Sequence, residues 1–147
     1  MTAPVIARSR VIPASPAAIF DLLADPAAHA RLDGSGSVRS AVGNPARLSL
    51  GATFAMNMRI GLPYRVTNTV VEFEEGRRIA WRHFGGHVWR YELEPVDGGT
   101  RVTETFDGST SKAPVVLTLM GVARKHPLAM EATLQRLADA VAPTSTT

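Results

Sequence analysis

Cysteine is absent from this sequence of 147 residues. Its absence excludes disulfide bonds, thiolate nucleophiles and cysteine-based zinc sites, and it favours a cytoplasmic protein. Long apolar runs are also lacking, because the longest, residues 115–123, is far shorter than the roughly 20 residues that a membrane-spanning helix needs. The first residues lack the basic, apolar and small-residue order of a signal peptide. We therefore expect a cytoplasmic protein with no stable membrane insertion.

Lysine is rare, and the basic residues that are present are dispersed along the chain. The net charge is +3 at pH 7, and 14 of the 16 basic residues are arginines that occur singly or as the pair Arg77-Arg78. Nucleic-acid-binding proteins usually concentrate basic residues in a run or on one face of the fold. The dispersion therefore argues against a nucleic-acid partner.

Motifs for metal, nucleotide or hydrolase chemistry are missing as well. The four histidines have no spacing that would supply three ligands to one metal ion. No glycine-rich phosphate loop follows a predicted strand, and no serine has the sequence context of a nucleophile elbow. We expect neither a metal ion nor a cofactor.

Apolar residues make up 45% of the chain, which is enough for a single domain over residues 1–147 with a frayed tail at 143–147. The chain begins with an alternating strand over residues 5–12. Ser15 and Asp25 are each followed by a proline, the order typical of a helix N-cap and the first helical position. Two short helices are therefore predicted after the first strand.

Further strands and a final helix account for the rest of the chain. Short segments separated by turns predict an antiparallel meander over 38–42, 52–60, 64–73, 78–84, 87–95 and 100–107. Residues 113–142 have helical periodicity, and Pro127 should kink or break this helix near 125–127. The predicted fold class is α+β, with about seven antiparallel strands curved around a long C-terminal helix.

Loop lengths determine which side chains share a face of this sheet, because side chains alternate along a strand. A three-residue loop at 84–86 and a turn at 96–99 separate apolar from polar residues. The predicted cross-strand pairs are Trp81–Trp89, Ile79–Tyr91, His83–His87, Leu93–Val102 and Tyr91–Glu104. In the earlier hairpin, a loop over 61–63 would pair Ile60 with Tyr64, with a bulge near 70–71. The opposite face of the last strand is wholly polar and should lie in water: Arg101, Thr103, Thr105 and Asp107.

One face of the predicted sheet combines aromatic, thioether and polar side chains. It carries Phe54, Met56, Met58, Tyr64, Asn68, Trp81, His83, His87, Trp89, Tyr91, Glu104 and Phe106. Burying its polar members unpaired in a sealed core would cost about 1–3 kcal/mol for each neutral group and more for the carboxylate. Methionine and amphipathic aromatic residues suit a surface that adapts to a guest. We therefore expect a ligand pocket between this face and the final helix, which would contribute Leu117, Met120, Met130 and Leu134.

Four segments that together span much of the chain resemble a known family. They are SPAAIFDLLADPAAHARLD, TNTVVEFEEGRRIAW, WRYELEPVDGGTRVTETFD and ATLQRLADAV. One strand, two short helices, a six-stranded meander and a long helix form an order similar to the helix-grip fold of the START-like, Bet v 1-like (SRPBCC) superfamily. The segments resemble its polyketide cyclase/dehydrase group. This resemblance implies a hydrophobic cavity for a lipid, sterol, polyketide or aromatic metabolite, in a family that includes non-enzymatic carriers as well as aromatases and cyclases.

Several residues of this face have two interpretations. Glu104 could transfer protons with a raised pKa or orient a ligand hydroxyl, or it could form a structural hydrogen bond to Tyr91 or to an arginine. His83 and His87 are either a polar rim or a solvated hairpin tip. Tyr64 and Asn68 either bind a ligand or satisfy each other.

Two functions remain open at this stage. The first is a protein that binds or carries a small hydrophobic molecule. The second is a polyketide cyclase, aromatase or dehydratase in which Glu104 is the proton-transfer group. A regulatory module that binds another protein is a third interpretation, for which the sequence offers no specific patch. Each is compatible with a monomer or a homodimer.

Overall fold

The computed structural model describes residues 5–83, 85–119 and 121–142 and has the predicted α+β architecture. The first strand, β1 (Val5–Ile12), leads into two short helices, α1 (Pro16–Leu23) and α2 (His29–Leu32), with a 3₁₀ turn (Pro26–Ala28) between them. Six further strands follow: β2 (Val38–Ala41), β3 (Thr53–Ile60), β4 (Leu62–Glu74), β5 (Arg78–His83), β6 (Val88–Val96) and β7 (Gly99–Asp107). Two helices, α3 (Pro114–Leu119) and α4 (Val122–Val141), come last. The predicted tail at 143–147 lies outside the described residues.

The short N-terminal helices begin where the sequence supplies caps. The Ser15 hydroxyl accepts a hydrogen bond from the Ala18 amide (3.2 Å), and the Asp25 carboxylate accepts one from the Ala27 amide (3.0 Å). Each cap is followed by a proline, whose missing amide donor is not needed at the first helical position. Helix α1 then buries three apolar side chains in the core: Ile19, Phe20 and Leu23.

All seven strands form one antiparallel sheet in the order β1-β7-β6-β5-β4-β3-β2. The sheet curls around α4, which packs against β1, β7 and the preceding helices. This is the helix-grip arrangement that the resemblance implied. The main apolar core lies between the concave inner face of the sheet and the helices. Among the described residues, no helix is both long enough and apolar enough to cross a membrane.

The registers of the central strands are those predicted from the alternation of apolar residues. The pairs Trp81–Trp89, Ile79–Tyr91, Leu93–Val102 and Tyr91–Glu104 are all present. The turn between β5 and β6 is closed by a hydrogen bond from the His83 amide to the His87 carbonyl (3.0 Å). Gly86 in this turn has a positive φ of +96°, which glycine adopts without a steric penalty. Residue 84, the first of the predicted loop, lies outside the described residues.

The register of β3 against β4 differs from the prediction by two residues. Ile60 pairs with Leu62 and not with Tyr64, so Gly61 alone forms the turn. Gly61 reaches this tight turn with φ +74°, a conformation that glycine adopts without a steric penalty. Because a shift of two residues preserves the alternation, the predicted inner face is unchanged. The predicted bulge near 70–71 is present on β4.

The outer face of the sheet is less exposed than its polar sequence predicts. Thr105, expected in water, is only 8% exposed. Its cross-strand neighbour is Arg90, whose guanidinium binds Glu72 at 2.7 Å and lies 3.8 Å from Asp107. These contacts hold the long arginine side chain along the sheet surface, where its apolar stem shields the neighbouring residues from solvent.

The C-terminal helical region breaks at Gly121 and not near Pro127, where the break was predicted. Gly121 has φ +72° and separates α3 from α4, whereas Pro127 lies in the second turn of α4. A proline at this position leaves only one carbonyl, that of Ala123, without its usual amide donor. The helix therefore continues through it and buries a stripe against the sheet: Met130, Thr133, Leu134 and Leu137.

Candidate functional site

The inner face of the sheet carries a buried carboxyl group, that of Glu104 on β7. The residue is 3% exposed, and its Oε1 atom has no hydrogen-bond partner among the described residues. Burial raises the pKa of Glu104 to about 8, although a hydrogen bond with the Tyr91 hydroxyl lowers the pKa and offsets part of this rise. At neutral pH the side chain is therefore mostly a neutral acid, which can donate a hydrogen bond or a proton.

The cation nearest to Glu104 along the sheet is engaged elsewhere. The cross-strand neighbours of Glu104 are Tyr91 on β6 and Arg8 on β1. The Arg8 guanidinium, however, lies 3.4 Å from Glu131 on α4. The Asp33 carboxylate accepts hydrogen bonds from Ser35 and from the Val38 amide, and its negative charge raises the pKa of Glu104 further. The structural arginine partner considered from the sequence is therefore not formed by Arg8.

Aromatic rings pack together beside this carboxyl group. Trp81 stacks on His29, with 4.9 Å between the ring centroids. The Trp81 ring also lies 5.7 Å from Tyr91 and 5.5 Å from Phe54. Burial lowers the pKa of His29, although its hydrogen bond with the Leu23 carbonyl (2.9 Å) opposes this effect. The interior here is lined by neutral rings in mutual contact, so a guest enters only where some of these rings move.

Asn68 is a second buried polar side chain on the inner face. It lies on β4 opposite Phe54 and is 6% exposed. Among the fully buried side-chain atoms of the described residues, only Glu104 Oε1 lacks a hydrogen-bond partner, so Asn68 is not a second orphaned group. The Tyr64–Asn68 hydrogen bond that the sequence allowed is not formed, because Tyr64 lies opposite Met58 nearer the end of the hairpin and is 41% exposed. Glu104 and Asn68 thus place two polar side chains on the buried inner face, of which Glu104 has unused hydrogen-bonding capacity.

Three histidines gather near the turn between β5 and β6. The His83 and His87 rings stack at 4.5 Å, and His126 of α4 lies 4.6 Å from Phe106 and 5.2 Å from Trp89. Burial lowers the pKa of all three, and the pKa of His87 falls to about 4, mainly through burial and further through repulsion by the other two histidines. The pair is therefore half-buried and neutral at pH 7, not a solvated tip. In the described ranges, no three histidine or carboxylate side chains are arranged to hold a metal ion.

The β3–β4 hairpin holds the remaining strand residues of the predicted site. Phe54 and Met56 are buried at its base, whereas Met58 is half-buried and Tyr64 is exposed. Met58 and Tyr64 line an open depression of about 510 Å³. Its other lining residues are Arg39, Asn57, Arg59, Pro63 and Arg65. The predicted set is thus divided between the buried centre of the sheet and a more exposed hairpin.

The helices contribute side chains to the inner face as well. Met130 and Leu134 of α4 are buried. Leu117 of α3 is 8% exposed and belongs to a second, smaller apolar cluster with Met130 and Phe106. Met120 lies outside the described residues.

Sequence reasoning missed three residues in this region: His29, Asp33 and His126. None of them lies on a strand, and strand alternation was the pattern on which the predicted site rested. Burial raises the pKa of both Tyr64 and Glu104, and the negative charge of Asp33 adds to both shifts. Asp33 therefore lies near enough to both side chains to act on them electrostatically. The sequence feature that could have pointed to Asp33 is its position as the last residue of the family-like segment SPAAIFDLLADPAAHARLD.

Comparisons with known proteins agree with this architecture. Residues 3–142 match the family model described as polyketide cyclase / dehydrase and lipid transport. The uncharacterized protein Rv0088 of Mycobacterium tuberculosis is 39% identical to this chain over 140 residues, which cover 91% of this chain and 62% of that protein. The chain therefore spans less than two thirds of the length of the curated relatives it matches.

Solved structures share the same fold. Protein CV1439 from Chromobacterium violaceum superimposes with a TM-score of 0.74 at 23% identity, over 95% of this chain and 99% of that one. The di-domain ARO/CYC protein StfQ from the steffimycin biosynthetic pathway has a TM-score of 0.72 at 15% identity, over 94% of this chain and 50% of that one. At such identities these likenesses establish the fold alone. The family match, which covers nearly the whole chain, shows that the chain belongs to the polyketide cyclase / dehydrase and lipid transport family.

Proposed function

We propose that this protein binds a small, mainly apolar molecule between the inner face of the sheet and α4, with Glu104 as its polar anchor. The observation that carries this proposal is the unpaired Oε1 atom of a carboxyl group that is 3% exposed. A buried polar group without a partner costs about 1–3 kcal/mol, and native proteins contain few of them. A ligand oxygen placed at this point would supply the missing partner.

The protonation state of Glu104 favours a neutral ligand. With a pKa of about 8, the group is mostly protonated at pH 7 and can donate a hydrogen bond to a carbonyl oxygen. Asn68 offers a further donor and acceptor on the same face. An anionic ligand would instead be repelled by the Asp33 carboxylate. These groups support a molecule such as an aromatic ketone or a polyketide over a fatty acid or a phosphate ester.

The walls of the proposed site are deformable. Trp81 and Met58 are half-buried, and Met58 also lines the open depression on the hairpin. A methionine changes rotamer at little cost, and ring contacts can re-form on an aromatic ligand. We therefore expect the rings now in mutual contact to separate and pack on the ligand.

Two matched naphthalenes test the role of the carboxyl group. Acetylnaphthalene and ethylnaphthalene have similar size, but only the first carries a carbonyl oxygen. Titrations that follow the tryptophan fluorescence should show tighter binding of acetylnaphthalene. Glu104→Leu should weaken the binding of acetylnaphthalene about five- to tenfold, the equivalent of one lost hydrogen bond, and should leave ethylnaphthalene nearly unchanged.

The control is Glu94→Leu, which removes an exposed glutamate from the outer face of β6 and should change neither affinity. Thermal unfolding of each variant shows whether the fold is retained. Failure of the native protein to bind either naphthalene would overturn the proposal. So would equal binding of acetylnaphthalene by the native protein and by Glu104→Leu.

A cyclase, aromatase or dehydratase activity is the second candidate, and the neutral-range pKa of Glu104 favours it. A group with a pKa of about 8 can both release and accept a proton near neutral pH, as general acid–base catalysis requires. With a linear poly-ketone substrate, an enzyme would lose turnover in Glu104→Gln while substrate binding persists. If the protein is only a carrier, the native protein should bind the substrate without converting it.

A further inference from the structure

We propose that one end of this molecule docks on the surface of an anionic lipid bilayer. The docking end consists of the β3–β4 hairpin tip (residues 59–65), the segment 112–119 that contains α3, and the first turns of α4 (residues 122–128). It combines large exposed apolar side chains with unpaired cations. None of these three segments contains an aspartate or a glutamate.

The sheet topology brings these segments to the same end. Strands β3, β5 and β7 end there, and β4 and β6 begin there, because neighbouring strands are antiparallel. The last residue of β7, Asp107, pairs with the first residue of β6, Val88. The following loop is tied to the β5–β6 turn by a hydrogen bond from the Lys112 amide to the Gly85 carbonyl (2.8 Å). Helix α3 therefore starts beside that turn.

The β3–β4 hairpin extends beyond the rest of the sheet at this end. The pairing of β4 with β5 starts at Asn68, whereas β4 itself begins at Leu62. Within the described residues, the six positions 62–67 thus pair only with β3. At about 3.4 Å per residue, the tip projects roughly 20 Å past the β5 strand.

Most of the large apolar side chains that are exposed in the described part of the chain lie at this end. Leu62 is 80% exposed at the hairpin tip, and Leu119 at the end of α3 is 81% exposed. The other large apolar residues exposed at this end are Ile60, Val115, Val116 and Leu128. Single exposed apolar residues are common on protein surfaces, but several at one end mark an interaction site.

Cations accompany these apolar residues, and among the described residues their charges are not consumed in ion pairs. The exposed basic residues of this end are Arg39, Arg59, Arg65, Lys112, Arg124 and Lys125. None of them forms an ion pair within the part of the chain that the structure describes. The sequence has no acidic residue between Asp33 and Glu72, or between Asp107 and Glu131. Basic residues that are dispersed along the chain therefore converge in the fold.

An anionic bilayer complements both properties of the docking end. Leucine and isoleucine side chains gain free energy by entering the interfacial region, while each nearby arginine or lysine is attracted to the negative lipid headgroups. A nucleic acid would use the cations but leave Leu62 and Leu119 in water. Peripheral docking needs no membrane-spanning helix, so it agrees with the absence of such a helix among the described residues.

Docking would also place the open depression of Met58 and Tyr64 next to the lipid surface. This inference goes beyond the ligand site proposed at Glu104 and does not depend on it. Binding of vesicles and binding of acetylnaphthalene are separate measurements, so the failure of one proposal is distinguishable from failure of the other.

Vesicle co-sedimentation tests the docking end with the full chain. Native protein should sediment with vesicles of phosphatidylcholine and phosphatidylglycerol and should remain in solution with phosphatidylcholine alone. The double variant Arg59→Gln/Arg65→Gln should bind the mixed vesicles roughly 25-fold more weakly, from about fivefold for each cation. Leu62→Ser should weaken vesicle binding about tenfold, because its side chain no longer enters the interface.

Matched controls separate this effect from general changes in charge or apolarity. Leu50→Ser alters a leucine that is 66% exposed away from this end, and Arg10→Gln removes an exposed arginine near the opposite end of β1. Both should bind the mixed vesicles as native protein does. Equal sedimentation with the two kinds of vesicle would overturn the proposal. Binding to duplex DNA that is lost in the arginine variant but kept in Leu62→Ser would assign the surface to nucleic acid and also overturn it.

Discussion

The β6–β7 and β3–β4 hairpins are built from similarly alternating strands, yet one is buried and the other is largely exposed. The β6–β7 hairpin lies between β1 and β5, and its inner side chains Tyr91, Leu93, Val102, Glu104 and Phe106 are all buried. The β3–β4 hairpin is buried only at its base, and its last residues, Ile60 and Leu62, face solvent. Neighbouring elements therefore decide burial, and alternation alone does not.

This difference also separates two kinds of polar chemistry. In the buried hairpin, desolvation holds Glu104 neutral and leaves its Oε1 atom unpaired. In the exposed hairpin, Arg59 and Arg65 remain charged and hydrated beside apolar residues. The first environment suits recognition of a neutral ligand, and the second suits recognition of a charged surface.

Truncation of one large side chain in each hairpin should give the largest contrast. Phe106 is fully buried and contacts the rings of Trp89 and His126, so Phe106→Ala should lower the free energy of unfolding by about 3–5 kcal/mol. Leu62→Ala should change it by less than about 0.5 kcal/mol, because Leu62 is 80% exposed. Urea denaturation at neutral pH measures both. Similar losses in the two variants would mean that the exposed hairpin is packed in solution.

The pH dependence of stability should report the buried carboxyl group. Its folded-state pKa of about 8 lies above the ordinary value of 4.5, so the folded protein holds this proton more tightly than the unfolded chain does. The stability that this proton provides is fully present below pH 4.5 and is lost as the pH rises through 8. Native protein should therefore lose about 2–4 kcal/mol between mildly acidic and alkaline pH, and Glu104→Gln should not.

Urea denaturation at three pH values checks this prediction, with Glu94→Gln as the matched control. Glu94 is exposed and paired with Arg101 on the outer face, so its removal should leave the alkaline loss of stability in place. The interpretation of Glu104 as a buried neutral acid fails if native protein and Glu104→Gln have parallel stability profiles. It also fails if Glu94→Gln abolishes the loss.

The sequence predicted the two hairpins unequally, and the reason is physical. In β5 to β7, large aromatic residues alternate with charged ones, so only one loop length separates them and the Tyr91–Glu104 pair follows. In β3 and β4, several registers keep apolar residues together, and the one-residue turn at Gly61 left no distinctive signal. Alternation specifies a face, whereas register depends on turn geometry that the pattern encodes weakly.

Contacts contributed by helices were beyond this kind of pattern. His29 and His126 reach the inner face from α2 and α4, and Asp33 reaches it from the end of α2. Their positions depend on how the helices pack on the sheet, which periodicity within one element does not describe. The break was predicted near Pro127 but lies at Gly121, because α4 accommodates the proline in its second turn and Gly121 adopts a left-handed conformation between the two helices.

The glycines of the two turns offer a smaller, matched comparison. Gly86 and Gly61 both have positive φ, which alone costs a non-glycine residue about 1–2 kcal/mol. A Cβ atom at Gly86 would also lie 2.5 Å from the Thr110 carbonyl oxygen, whereas nothing lies within 4 Å of one at Gly61. Gly86→Ala should therefore destabilise the protein more than Gly61→Ala in thermal unfolding. Equal effects would mean that the loop around Thr110 moves aside without cost.

His87 should give the smallest effect and the opposite pH dependence to Glu104. Its folded-state pKa of about 4 lies below the ordinary value of 6.5, so protonation favours the unfolded chain. The stability linked to neutral His87 is present above pH 6.5 and is lost as the pH falls through 4. His87→Phe keeps a ring against His83 and Phe106 but cannot take up a proton. Between neutral and acidic pH, this variant should lose about 1–2 kcal/mol less than native protein in urea denaturation, since partial exposure weakens the effect. Equal losses would show that His87 is hydrated in solution, and the histidine cluster would then resemble the exposed hairpin more than the buried one.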